Sequence, residues 1–363
     1  MVVHDRRVFD KEEAIILPRA NRGQAATLND VARLANVSRQ TVSRVINNKD
    51  AVSPETEQRV RAAIRELDYR PNSLARSLVT NRSHVIGLVV PNISQPYYPE
   101  IARGVEDSAY ESDYGVFLSH TGGDAGRELQ ALERLLGHRV DGVIICNSRL
   151  DDETLSQMAA LIPVVLVNRQ LANVSGTVIW TGYDTGSELA VEHLHSVGRR
   201  RIAYVGLDYI NNVDTAKFDG YLTGLERVGL PFDPSIVVRA PNSFQGGYAA
   251  MEAIHLSALG VDAIFAFNDL IAIGAMRYAL THGLDVPVDI AFVGFGGSEV
   301  TSMVTPDLTT ISVPLHSIGV TAVQELLQLI AGTGEQHRQL TIKPEILIRG
   351  SSVANQRAGI PFS

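Results

Sequence analysis

The chain has one cysteine and one tryptophan in 363 residues, and it lacks any long apolar run. A single thiol, Cys146, makes no intrachain disulfide. It sits in the apolar run VDGVIICN, which predicts a buried strand and an inert core cysteine. No stretch approaches the roughly 18–20 apolar residues of a membrane span. The short IIL at 15–17 follows Lys11, Glu12 and Glu13, unlike a secretory leader, so a reducing cytoplasm is expected and no membrane partner. The 10 histidines show no metal-ligand spacing. There is no Walker loop and no GxSxG elbow, and GFGGS at 294–298 ends a strand without a phosphate-loop pattern. No catalytic constellation, cofactor or metal is therefore expected. An enzyme carrying a fused DNA module is the remote alternative.

Hydrophobic content of 45% and charged content of 20% are globular values. The length fits two or three domains. Charge is divided unevenly. Residues 19–82 hold 12 Lys/Arg against 6 Asp/Glu, net +6, while the remainder carries −14 of the overall −8. A basic head on an acidic body concentrates phosphate attraction in one segment.

That segment contains TLNDVARLANVSRQTVSRVIN at 27–47. Asp30 to Ala35 has helical spacing with Val31, Leu34 and Ala35 on one face. Asn36-Val37-Ser38 breaks it, and Ser38 stands where an N-cap belongs. The second helix, Arg39 to about Asn47, buries Val42, Val45 and Ile46. Arg39, Gln40 and Arg44 remain outside, side chains able to make paired hydrogen bonds to base edges in a major groove. A third helix starts at Ser53-Pro54-Glu55, a capping hydroxyl, a first-turn proline and an acid at the positive dipole end. Its stripe is Val60, Ala63, Ile64 and Leu67. Pro71 then breaks the chain, and Asn72 or Ser73 starts a helix through Leu78 too short to be stable alone.

Together with VSPETEQRVRAAIRELDYRPNSLARSL at 52–78, this motif resembles the lactose-repressor (LacI/GalR-type) family of bacterial transcription regulators. The resemblance runs from Thr27 to about Ala354. It implies a homodimer whose two headpieces read a near-palindromic double-stranded DNA operator, with Arg39, Gln40 and Arg44 on base edges. Thr27, Ser38, Thr41, Ser43, Asn47, Tyr69 and Asn72 are expected on the DNA backbone. Leu78 matches a leucine that wedges into the minor groove, with Ala75 and Arg76 beside it. The C-terminal QRAGIPFS has no heptad pattern, in keeping with a dimer.

The body alternates strands and helices. Strands are expected at 84–92, 115–121, 140–147 and 162–169, then at 201–207, 236–240, 263–269 and 290–296, with helices between. Continuous apolar strands imply parallel sheets covered on both faces, here two doubly wound lobes with a cleft at the strands' carboxyl ends. The expected fold is an all-α helix-turn-helix headpiece plus an α/β periplasmic-binding-protein-like core. Its parts are a flexible extension at 1–26, the headpiece at 27–71, a hinge helix and linker at 72–83, an effector-binding and dimerisation core at 84–354, and a tail at 355–363. The resemblance further implies that the chain crosses between the lobes three times.

It also places effector contacts at the strand tips, for a small molecule such as a sugar, a sugar acid or a related compound. Tyr97 and Tyr98 can stack on a ring. His120, Asn168, Arg169 and Asn268 are the expected polar contacts, with Asp269 expected as the cap of the helix it begins. Two positions depart from the family's sugar-sensing pattern. Lys217 stands where many members carry Arg, and Gly296 stands where many carry Asp. Lys is a point charge rather than a planar fork, so the usual sugar clamp is altered on both sides. Trp180 is expected to pack the lobe crossover. The function implied is a ligand-responsive, sequence-specific regulator, with repression expected. The alternative is a small-molecule-binding protein whose headpiece lacks specific DNA recognition.

Overall fold

The computed structural model describes residues 26–46, 52–69, 82–171, 175–209 and 211–353, in two compact units, residues 1–81 and 82–363. The first unit holds three helices, α1 (Leu28–Leu34), α2 (Arg39–Ile46) and α3 (Pro54–Glu66). Thr27 caps α1 in a capping box: its hydroxyl accepts from the Asp30 amide, and the Asp30 carboxylate accepts from the Thr27 amide. Asn36, with φ +50°, makes the turn in the left-handed region that Asn tolerates. The Ser38 hydroxyl accepts from the Thr41 amide at 3.1 Å, and the Ser53 hydroxyl accepts from Thr56 at 3.4 Å. Val31, Ala32, Ala35, Val42, Val45, Val60 and Ala63 form the core, with Ile46, Ile64, Leu67 and Tyr69 packed around it. Leu34 is 45% exposed rather than buried. Ala32, next to Val31 on the face turned to α2 and α3, takes the inward position instead.

The second unit opens with β1 (Val85–Val90), α4 (Tyr97–Glu111), β2 (Gly115–His120), α5 (Ala125–Gly137), β3 (Gly142–Cys146), α6 (Asp152–Leu161), β4 (Val164–Val167) and β5 (Thr177–Thr181). It continues with α7 (Tyr183–Ser196), β6 (Ile202–Leu207), α8 (Asn212–Arg227), β7 (Val237–Ala240), α9 (Phe244–Leu256), β8 (Ala263–Ala266), α10 (Asp269–Thr281) and β9 (Ala291–Gly296). The last elements are β10 (Thr309–Ser312), α11 (Leu315–Ala331), β11 (Arg338–Ile342) and β12 (Glu345–Leu347). One sheet runs β11-β5-β4-β3-β1-β2, all parallel; the other runs β12-β10-β9-β8-β6-β7, parallel except for the antiparallel edge strand β12. The central strands are buried along their length, as helices on both faces require.

The chain passes between the sheets after β5, after β10 and after β11. At the second passage α11 leaves the second sheet's strand β10 and packs on α4 of the first lobe. Gly104 and Gly319 let these two helices meet backbone to backbone. A Cβ on Gly104 would stand 2.1 Å from the His316 carbonyl oxygen, and one on Gly319 would stand 2.3 Å from that of Ile101. The fifth strand of the first lobe, TVIWT, has no signal of its own in a reading by apolar runs. It is short, Thr-flanked, and followed by a helix that belongs to the other lobe.

Candidate functional site: a DNA-reading helix and an inter-lobe cleft

In the headpiece, α2 buries Val42 and Val45 and leaves Arg39, Gln40 and Arg44 exposed. Thr41 and Ser43 are half-buried beside them. Ser38 and Thr41 face one another, Oγ to Oγ1 at 2.9 Å, and the Thr27 hydroxyl donates to Asp30 at 2.6 Å. These hydroxyls are thus held at the two helix starts. Tyr69 is half-buried against the headpiece core. Asn47, Asn72, Ala75, Arg76 and Leu78 lie outside the described residues.

Between the lobes of the core lies a cavity of about 440 Å³, bordered by the carboxyl ends of strands from both sheets. This is where a doubly wound fold leaves a crevice, and the volume is that of a small-molecule site. Tyr97 and Tyr98, at the start of α4, line it with rings edge-on to each other at 5.3 Å. The Tyr97 hydroxyl meets that of Tyr183 at 3.1 Å and accepts from Asn168 Nδ2 at 2.8 Å. Asn168, buried and at φ +59°, also accepts from the Thr181 amide at 3.2 Å. Desolvation pushes the Tyr97 hydroxyl above its ordinary range, so it stays protonated.

Lys217 projects from α8 into the opposite wall. Its Nζ donates to the Phe267 carbonyl at 2.7 Å and stands 3.8, 4.1 and 4.9 Å from the ring centroids of Phe295, Phe267 and Tyr183. Burial lowers its pKa to about 7, against the opposing pull of Asp214 and Asp269. Asp269 is buried too. It accepts from the Ser298 amide and hydroxyl at 3.1 and 2.9 Å and from the Thr310 hydroxyl at 2.5 Å. Burial raises its pKa, opposed by those bonds. The cap of α10 is Asn268, not Asp269: Asn268 Oδ1 accepts from the Ile271 amide at 2.9 Å while its Nδ2 donates to Asn242 at 2.6 Å. The extended backbone at Asn268 suits a cap, whereas Asp269 is already in the first helical turn.

Of the residues expected at the cleft, Tyr97, Tyr98, Asn168, Arg169, Lys217, Asn268 and Gly296 border the cavity. Arg169 does so as a strut, with its guanidinium donating to Asp152 at 2.6 Å and to the Leu150 carbonyl at 3.1 Å. His120 does not border it. It ends the edge strand β2 and is exposed, because β2 is the outermost strand of its sheet. Trp180 packs edge-on against Tyr183 at 5.3 Å, at the crossover. Cys146 is buried and its thiol pushed up to about 12 by desolvation, an inert group.

Sequence reasoning missed Arg149, Tyr209 and Asn242, which border the cavity from the loops after β3, β6 and β7. The rule that points to Asn168 and Asn268, polar residues just past an apolar strand, was available for all three.

A helix-turn-helix that presents polar side chains, in one chain with a two-lobed core that holds a cleft, defines a DNA-binding transcription regulator with a small-molecule-binding domain. The chain belongs to the LacI family of bacterial regulatory proteins. Its residues 27–72 match "Bacterial regulatory proteins, lacI family", and residues 83–350 match "Periplasmic binding proteins and sugar binding domain of LacI family". It is 34% identical to the ribose operon repressor of Escherichia coli K12 over 329 residues, which is 90% of this chain and 100% of that protein. It is 31% identical to the HTH-type transcriptional repressor PurR of Histophilus somni, covering 90% of this chain and 98% of that one. Among solved structures, the Lac repressor dimer bound to operator and the anti-inducer ONPF aligns with a TM-score of 0.82 at 28% identity, over 91% of this chain and 100% of that one. The complex of the regulator CelR with cellobiose aligns at 0.69 and 30% identity, over 90% and 99%.

Proposed function

We propose that this chain is a transcriptional repressor that binds a near-palindromic operator as a homodimer in the cytoplasm, and that a small effector in the inter-lobe cleft controls its DNA affinity. The observation that carries the reading is α2: one face is locked into the headpiece core and the other offers Arg39, Gln40 and Arg44. Two such helices related by a two-fold axis call for a two-fold operator. Support for control comes from the three passages of the chain between the lobes, which let a cleft ligand change lobe geometry. Such control requires the effector to bind one lobe arrangement better than the other.

The test is selection of bound sequences from a random duplex pool, followed by footprinting. A single near-palindrome is expected. Diffuse, steeply salt-dependent protection would sink the specific reading. Arg44→Ala is expected to weaken binding to the selected site by about 1–3 kcal/mol and to relax preference at one base position in each half-site. An unchanged preference would remove Arg44 from base readout.

Asn268→Ala separates the two parts of the protein. Loss of the α10 cap is expected to cost the core about 1 kcal/mol, and loss of the cleft amide to abolish the effector response. Operator binding without effector stays intact. A normal effector dose response of the variant would rule out Asn268 as a contact.

A further inference from the structure

The charge around the cleft is lopsided. Its described lining includes three cationic side chains, Arg149, Arg169 and Lys217, and a single carboxylate, Asp269. Asp269 is engaged by three donors from Ser298 and Thr310. Arg169 is paired with Asp152. That leaves Arg149 and Lys217, and among the described residues no carboxylate is in ion-pair contact with either. Arg149 comes from the loop after β3, and its guanidinium lies over the Tyr209 ring of the other lobe at 4.5 Å. Its loop is fixed from beneath: buried Glu128 accepts from the Arg149 amide at 2.9 Å and from the Ser148 hydroxyl. Lys217 is held by one carbonyl and three ring faces. Lys217 is buried and Arg149 half-buried, and a buried cation without an anion is costly unless something supplies one. A neutral sugar needs acceptors for its hydroxyl protons, and the position that would offer a free carboxylate is Gly296. The remaining polar lining is mostly amide, including Asn147, Asn168, Asn242 and Asn268, groups that can both donate to and accept from hydroxyls.

We propose that the cleft takes a small polyhydroxylated anion, a monosaccharide-sized sugar acid or sugar phosphate, with its negative group held by Lys217 and Arg149 and its hydroxyls read by asparagine amides. This rests on the cleft being the effector site. The lysine adds a consequence of its own. With its pKa lowered to about 7, Lys217 is largely neutral above that pH in the empty cleft. A bound anion holds the proton on it, so binding takes up a proton and weakens as pH rises. The groups facing Lys217 are the Phe267, Phe295 and Tyr183 rings, Asp269 on α10, and Asp214, which is itself paired with Arg239.

The experiment is calorimetric titration of the full chain at pH 7 and 8.5. The ligands are gluconate, galacturonate, glucose 6-phosphate and ribose 5-phosphate, set against neutral glucose, galactose and ribose. At least one anion is expected to bind tenfold or more tighter than its neutral counterpart, with proton uptake and roughly tenfold loss at pH 8.5. Binding confined to the acids or to the phosphates names the source of the charge. Lys217→Gln is expected to weaken that anion at least tenfold, and Lys217→Arg to retain it. If Lys217→Gln does not fold, Arg149→Gln reads the same question from the loop after β3. A neutral sugar binding as tightly as its acid, no anion binding, or anion binding indifferent to Lys217→Gln and Arg149→Gln would each overturn the proposal. Operator footprints of the unliganded protein are read alongside. Their absence would strike the regulator reading and leave the anion result standing.

Discussion

Lys217→Met is expected to raise the melting temperature of the ligand-free protein and to silence its effector response. The wild-type ammonium is buried against three aromatic faces with one carbonyl for a partner. Cation–π attraction offsets part of its desolvation, yet the pKa still falls from 10.5 to about 7, so burial prevails. The sign follows from linkage. A base whose folded pKa lies below its unfolded one is disfavoured in its charged form by the fold. The penalty is complete below pH 7, fades between 7 and 10.5, and is gone above. Wild-type stability therefore gains from this residue's titration as pH rises through that window. Methionine fills a similar volume without a charge, and replacing buried ions by apolar groups often gains about 1–4 kcal/mol. Scanning calorimetry at pH 6 and pH 9 is expected to give a variant several degrees more stable at pH 6, with the gap closing at pH 9. A variant less stable than wild type at pH 6 would mean that the carbonyl and ring contacts outweigh the burial cost. An ammonium that burial disfavours and that borders a cavity marks that cavity as a candidate functional site.

The features legible in the sequence share a physical cause. The headpiece was readable because its signals are local: Thr27 and Ser53 cap within three residues, and Val42 and Val45 recur at helical spacing. The buried strands were readable because double-sided burial makes them continuously apolar. What was not legible is set by distance along the chain. Strand β11 pairs with β5 across a separation of more than 150 residues, and nothing in RQLTI marks that partner. The lobe crossings came from family resemblance, since nothing local to a connection says which of the two sheets the next strand joins. Helix α1 shows the limit of reading a face by spacing: Leu34 lies three residues from Val31, yet the packing of the three helices takes Ala32 inward and leaves Leu34 exposed. In the cleft, Asp269 looked like a cap because it opens an apolar helix. Its tertiary donors, Ser298 and Thr310, lie 29 and 41 residues away and could not be seen.

That carboxylate also explains the residue at the end of β9, and it sets the second large effect: Gly296→Asp is expected to lower stability by about 2–4 kcal/mol and not to create a neutral-sugar site. Gly296 has φ +140°, a conformation open to glycine and costly for other residues, with about 1–3 kcal/mol of strain for any Cβ. A Cβ there would also stand 3.0 Å from Asp269 Oδ2. The neighbouring Gly294 is tighter still, at 2.6 Å from Asp269 Oδ1. A carboxylate introduced at 296 would therefore face the buried Asp269 at close range, and two such groups resist joint ionisation. Whichever of them is held protonated has a folded pKa above its unfolded value, so the penalty is small at pH 5 and grows as pH rises to 8. Gly296→Ala separates the causes, since it carries the backbone strain and the close contact without the charge. Melting temperatures at pH 5 and 8 are expected to fall for both variants, with a pH-dependent excess only for Gly296→Asp. Titration with glucose and galactose is expected to show no gain. An unchanged melting temperature together with new binding of a neutral sugar would mean that the backbone at 296 relaxes freely, and that the glycine reflects ligand choice alone rather than the space taken by Asp269.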